Sequence, residues 1–166
     1  MKKFILAFLV VFAANLGCKK LDDGDKPCAC SPISEPTLVL VLKNASGADV
    51  LNPVTSGYFS NNNIKLYYLE GGVQKQLNFF VRPSFSYGAE KFDYYQLHSS
   101  EIIRQHVSGR KDFYLKLRDN EPKKINLEIA TDKQFSIEKV LVDGTVATPE
   151  KGAVSSYVQH MFYVQL

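Results

Sequence analysis

From Thr37 onward the chain alternates apolar and polar residues with period two, in short runs divided by turn residues. That pattern commits a chain to strands with one buried face. In "NIKLYYL" (63–69) Ile64, Leu66 and Tyr68 share a face, with Lys65 and Tyr67 opposite. "DFYLKLR" (112–118) alternates through Phe113, Leu115 and Leu117, and "KINLEIA" (124–130) through Ile125, Leu127 and Ile129. "TLVLVLK" (37–43) is continuously apolar, which fits a strand buried on both faces or at the core of a sandwich. After the turn signal "EGG" (70–72), "QKQLNFFV" (74–81) reads as the hairpin partner of 63–69. "SIEKVLV" (136–142) runs into Asp143-Gly144, a tight hairpin dipeptide, with "TVAT" leaving it, and "YVQHMFYVQL" (157–166) closes the chain as a strand. Helical spacing occurs only in "SSEIIRQHV" (99–107), with Ser99 or Ser100 as the cap before Ile102, Ile103 and His106.

Residues 37–166 are about the size of one domain and bury about two thirds of their unfolded surface on folding. Close strand spacing with at most one short helix predicts an all-β fold, an antiparallel β-sandwich of Ig-like architecture, with a small barrel as the alternative. The cysteine and tryptophan hallmarks of antibody domains are missing, since Trp is absent and no cysteine lies beyond Cys30.

The first 17 residues have a different composition. A basic start, Met1-Lys2-Lys3, leads into an apolar stretch from Phe4 to Ala14 and then Asn15-Leu16-Gly17 before Cys18. This is the layout of a secretory signal, and the apolar run is about half of what a membrane-spanning helix needs. Residues 19–36, "KKLDDGDKPCACSPISEP", are polar, rich in Pro and Ser, and read as a flexible tether. The expected organisation is a removed signal peptide (1–17), a tether beginning at Cys18 (18–36) and the β-sandwich domain (37–166). The alternative at Cys18 is an ordinary thiol in a soluble secreted protein.

Leu16-Gly17-Cys18 resembles a bacterial lipobox, with Asn15 standing where that family has an aliphatic residue. The resemblance implies that Cys18 becomes the first mature residue, carries a diacylglyceryl thioether and an acyl chain such as palmitate, and anchors the protein to a membrane. One acyl chain binds marginally, whereas several, at about 0.8 kcal/mol per buried CH₂, hold durably. Lys20 followed by Asp22-Asp23 resembles the export signal of Bacteroidota lipoproteins, with Leu21 intervening. It implies exposure on the outer face of the cell outer membrane; a solvated linker on the periplasmic side is the alternative. The stretch "LVLKNASGADVLNPVTSGYFSNNNIKLYYLEGG" (40–72) is similar to the opening of small Bacteroidota lipoproteins of no assigned activity. The pattern falls on Asn44, Gly47, Asp49, Asn52 and Pro53, whose physical reading is turn chemistry.

Cys28 and Cys30 form a C-x-C pair in the tether. A zinc site needs further Cys or His ligands, and His98, His106 and His160 stand at no ligand spacing, so a disulfide, either between the two or with another chain, is the better reading. Two of the 20 basic residues lie in 1–17, leaving 18 against 17 acidic ones, scattered along the chain. A nucleic-acid partner is therefore not expected. Nor does the sequence call for a metal or cofactor.

Serine catalysis needs an oriented base, and no G-x-S-x-G elbow is present; His98-Ser99-Ser100 reads as a helix start. His106 lacks the H-E-x-x-H context of a metal hydrolase, and His160 reads as a surface or edge residue of the last strand. Carboxylates for glycoside chemistry are available in Glu70, Glu90, Asp93, Glu101, Asp112 and Asp119. "RDNEP" (118–122) holds oxygen ligands suited to calcium but reads as a turn.

Nine Tyr and eleven Phe remain to be explained, several as adjacent pairs that point to opposite faces of a strand. Phe85, Tyr87 and Phe92, with Tyr94 and Tyr95, lie in "RPSFSYGAEKFDYY" (82–95), which reads as a loop among Pro, Ser and Gly and is the expected binding loop. The function expected is a non-catalytic, lipid-anchored envelope protein serving binding, adhesion or assembly, with a protein or glycan partner at the cell surface. The alternatives are a glycan-directed enzyme or its accessory, and a periplasmic inhibitor or sensor.

Overall fold

A computed structural model describes residues 36–130 and 136–166. The expectations for the signal peptide, Cys18, Asp22-Asp23 and the Cys28/Cys30 pair fall outside the described residues. Among the described residues there are thirteen strands: β1 (Leu38–Lys43), β2 (Ile64–Glu70), β3 (Val73–Gln76), β4 (Phe80–Arg82), β5 (Phe85–Tyr87), β6 (Glu90–Phe92), β7 (Gln96–Ser99), β8 (Phe113–Leu117), β9 (Lys123–Ile129), β10 (Ile137–Val142), β11 (Thr145–Val146), β12 (Thr148–Pro149) and β13 (Met161–Gln165). Among the described residues the one α-helix is α1, Glu101–Val107. It is not long and apolar enough to cross a membrane.

The strands form a β-sandwich. One sheet runs β12-β13-β1-β7-β4, the other β11-β10-β9-β8-β2-β3. Every pair is antiparallel except β1 with β13, which run parallel from Val39 opposite Met161 to Lys43 opposite Gln165. This parallel pair joins the two ends of the domain within one sheet, a departure from the purely antiparallel expectation. The core between the sheets takes alternate residues from each strand: Leu38, Leu40 and Leu42 from β1, Ile64, Leu66 and Tyr68 from β2, Phe113, Leu115 and Leu117 from β8, and Ile125 and Leu127 from β9. Ile102 and Ile103 of α1 pack into it.

β1 is buried on both faces, as its continuous apolar run predicts. Val39 and Val41 point away from the main core into a second cluster with Phe92, Val154, Val158 and Met161. Two local structures cover this outer face. One is the hairpin β5–β6, pairing Phe85 with Phe92 and Tyr87 with Glu90; the other is the 3-10 turn Ala153–Ser156. Residues 82–95 are thus not the open loop that their Pro, Ser and Gly content suggests. Three-residue strands are too short to display a period.

Two further boundaries differ from the sequence reading. The hairpin partner of β2 ends at Gln76; Leu77–Phe79 then cross between the sheets and β4 joins the other one. The last strand starts at Met161, because His160 takes φ 56° and turns the chain out of the preceding segment. Turn chemistry holds where it is expected. Asp143 and Gly144 have φ of 48° and 78°, the left-handed pair of a type I′ hairpin. In the 44–53 loop Asn44 Oδ1 accepts from the Ser46 and Ala48 amides at 3.1 and 2.9 Å. The Asn52 side chain accepts from the Val54 amide at 3.1 Å.

Candidate functional site

The five aromatic residues of the expected binding loop take different places. Phe92 is buried in the outer-face cluster, with Phe85 packed on it at 5.7 Å between centroids. The Arg82 guanidinium lies over the Phe85 ring at 4.2 Å. Tyr94 meets Phe92 and Tyr163 edge-on, and the Lys43 ammonium sits 3.9 Å from the Tyr94 ring and 4.5 Å from that of Tyr163. Such a cation between two π faces locks the end of β1 to β13. Tyr163 donates its hydroxyl to Glu150, and burial followed by this carboxylate pushes the phenol well above its ordinary range. Tyr95 packs against the main core, and its amide donates to Asp49 Oδ2 at 2.7 Å.

Tyr87 is the one of the five that is exposed, at 58 %. Its ring meets Tyr157, itself 48 % exposed, at 4.1 Å between centroids and 39° between planes. Tyr87 comes from the hairpin and Tyr157 from the end of the 3-10 turn, so two covering elements meet in an aromatic pair facing solvent. Sequence reasoning missed Tyr157, because it lies 70 positions away inside an expected strand. Paired tyrosines offer flat apolar area with hydroxyl handles and little side-chain entropy to lose on binding.

The titratable candidates disperse into separate contacts. Glu70 pairs with Arg110, Asp93 with Lys91 at 3.0 Å, and Glu101 accepts from the Asn78 amide at 2.5 Å. Asp112 pairs with Lys124 at 2.9 Å and accepts from Asn126, which hold its carboxyl below the ordinary range against the effect of burial. Glu90 is exposed on β6 and Asp119 lies in the β8–β9 turn.

The histidines also part. His98, on β7, is buried against Phe80 and its Nε2 meets Gln96 Oε1 at 3.1 Å; burial, then Arg82, lowers its pKa to about 4. His106, on α1, accepts from the Lys111 ammonium at 3.3 Å and is lowered by burial, then by that charge. His160 Nδ1 accepts from the Ile137 amide at 3.3 Å, with its pKa lowered by burial. It is a half-buried turn residue, not a strand-edge one. Among the described residues no three His, Cys, Asp or Glu side chains gather as metal ligands would.

Compared with known proteins, the chain matches no family model, no curated protein and no solved structure.

Proposed function

We propose that this chain is a lipid-anchored cell-envelope protein whose sandwich domain is a non-catalytic binding module, contacting a protein or glycan partner through Tyr87 and Tyr157. The observation that carries this reading is the exposed ring pair, mounted on elements that are themselves packed on the sheet through Phe85, Phe92 and Val154. Exposed aromatics on a rigid support are the usual anchors of interfaces. The anchor rests on Leu16-Gly17-Cys18 and the polar tether behind it, and placement on the outer face of the outer membrane rests on Lys20 to Asp23.

The test is protease digestion of intact cells, beside a Cys18→Ala control and a periplasmic marker that must stay uncut. Digestion of the anchored domain with the marker intact is expected, together with loss of the membrane-bound form in the control. Protection until the outer membrane is broken overturns surface exposure, and an unchanged membrane fraction in Cys18→Ala overturns the anchor.

A further inference from the structure

One end of the sandwich is cut by a cleft of about 290 Å³, which neither Tyr87 nor Tyr157 lines. Three segments build it: the loop 44–59, the β8–β9 turn and the end of β13. Its floor is apolar, from Val50, Phe59 and Leu117. Ser56, Asn120 and Glu121 stand at its rim, and among the described residues none of their side chains has a hydrogen-bond or ion-pair partner.

The walls are fixed by contacts unrelated to any ligand. Asp49, buried, accepts from the Leu51 amide at 2.9 Å and from the Tyr95 amide at 2.7 Å. The Phe59 amide donates to Val50 O at 2.8 Å, and Arg118 donates to Tyr58 O at 2.7 Å while its guanidinium lies 5.1 Å over the Phe59 ring. The Arg118 amide closes the far side on Asn63 O at 2.7 Å. Fixed walls leave little ordering cost for binding, and the exposed rim groups, bonded to water alone among the described residues, are free to exchange it for a ligand.

Size and charge narrow the ligand. Ligand pockets run from about 300 Å³ upward, so at this size the cleft seats one ring at a time, free or at the end of a longer chain. Arg118 is turned to Tyr58 O and the Phe59 ring and does not line the cleft, and Lys123, at the rim, is already neutralised by Asp143 at 2.9 Å, so Glu121 is the one lining side chain that carries an unpaired charge. An anion is therefore disfavoured. Each hydroxyl of a sugar both donates and accepts, which suits a carboxylate, an amide and a hydroxyl standing together, while the C–H face of the ring suits the apolar floor. We propose that the cleft binds one neutral sugar ring, seated on Val50, Phe59 and Leu117 with its hydroxyls held by Ser56, Asn120 and Glu121.

The test is amide NMR on the isotope-labelled full chain, in a detergent without a sugar headgroup. Free glucose, galactose, mannose and N-acetylglucosamine are titrated to about 10 mM, beside their methyl glycosides and ethanolamine as a cation probe, since one-ring ligands bind in about the millimolar range. Shifts confined to Gly57, Asn120, Glu121 and their neighbours are expected with at least one sugar. Asn120→Ala and Glu121→Ala, both at exposed positions, should each weaken that binding about tenfold with unchanged thermal melting. A response to methyl glycosides alone points to a ring at the end of a glycan, and a response to free sugars alone to a monosaccharide. No response to any sugar, a response to ethanolamine only, or sugar shifts unaffected by both variants overturns the proposal. None of these results depends on Tyr87 or Tyr157.

Discussion

The phenyl ring of Phe80 lies flat on the imidazole of His98, 4.8 Å between centroids and 15° between planes. They are cross-strand neighbours on β4 and β7, and Phe80 is exposed on its other side while His98 is buried. The stack makes an edge-strand residue the cover of a buried titratable group.

A pH dependence of stability follows. His98 titrates near 6.5 in the unfolded chain and near 4 in the folded one, because burial and then Arg82 oppose its charging. Between those values the unfolded chain binds a proton that the folded chain refuses, so stability is greatest above pH 6.5 and falls as pH drops toward 4. His106 and His160, also lowered, act in the same direction. Urea midpoints measured from pH 7.5 to 4.5 should fall steadily, and His98→Gln should flatten part of the slope.

Removing the cover should move the titration. In Phe80→Ala the His98 ring gains water, and its NMR titration midpoint should rise from about 4 toward 6.5. An unmoved midpoint would assign the burial of His98 to its other neighbours.

Asp49 should matter more than any surface ion pair. Asp49→Ala strands the amides of Leu51 and Tyr95, and should cost about 2–4 kcal/mol in chemical denaturation. Asp112→Ala breaks a solvent-exposed pair with Lys124 and a hydrogen bond from Asn126, and should shift the denaturation midpoint far less than Asp49→Ala.

Phe92 holds the β5–β6 hairpin on the outer face of the sheet, where it is buried against Val39 and Val41. Phe92→Ala should cost about 3–5 kcal/mol. It should also release the hairpin so that trypsin cuts after Lys91, a side chain already exposed, under native conditions, while hydrogen exchange in β2 and β8 stays slow.

Long strands were legible because their period survives over enough residues: β2, β8, β9 and β10 fall where alternation places them. The double burial of β1 was equally plain, since a run without polar residues has no face to give to water. The hairpin β5–β6 was hidden by its shortness, and the turn before β13 by apolar residues that pack outside the main core, as Val154 and Val158 do. Tyr87 was within reach of a composition argument about exposed aromatics. Its partner Tyr157 was not, because the two meet only through the stacking of separate elements on one sheet face. Turn chemistry around Asn44 and Asp49 was legible, but the cleft was not, because it forms only where that loop meets the β8–β9 turn.

The most direct measurement is photocrosslinking on intact cells, with a photoreactive residue placed in turn at positions 87, 157 and 65. Lys65 is exposed on the outer face of the other sheet and serves as the control. Adducts of one common mass from positions 87 and 157, and none from 65, are the predicted result. Adducts from 65 alone, or equally from all three positions, would contradict a binding surface at the Tyr87–Tyr157 pair.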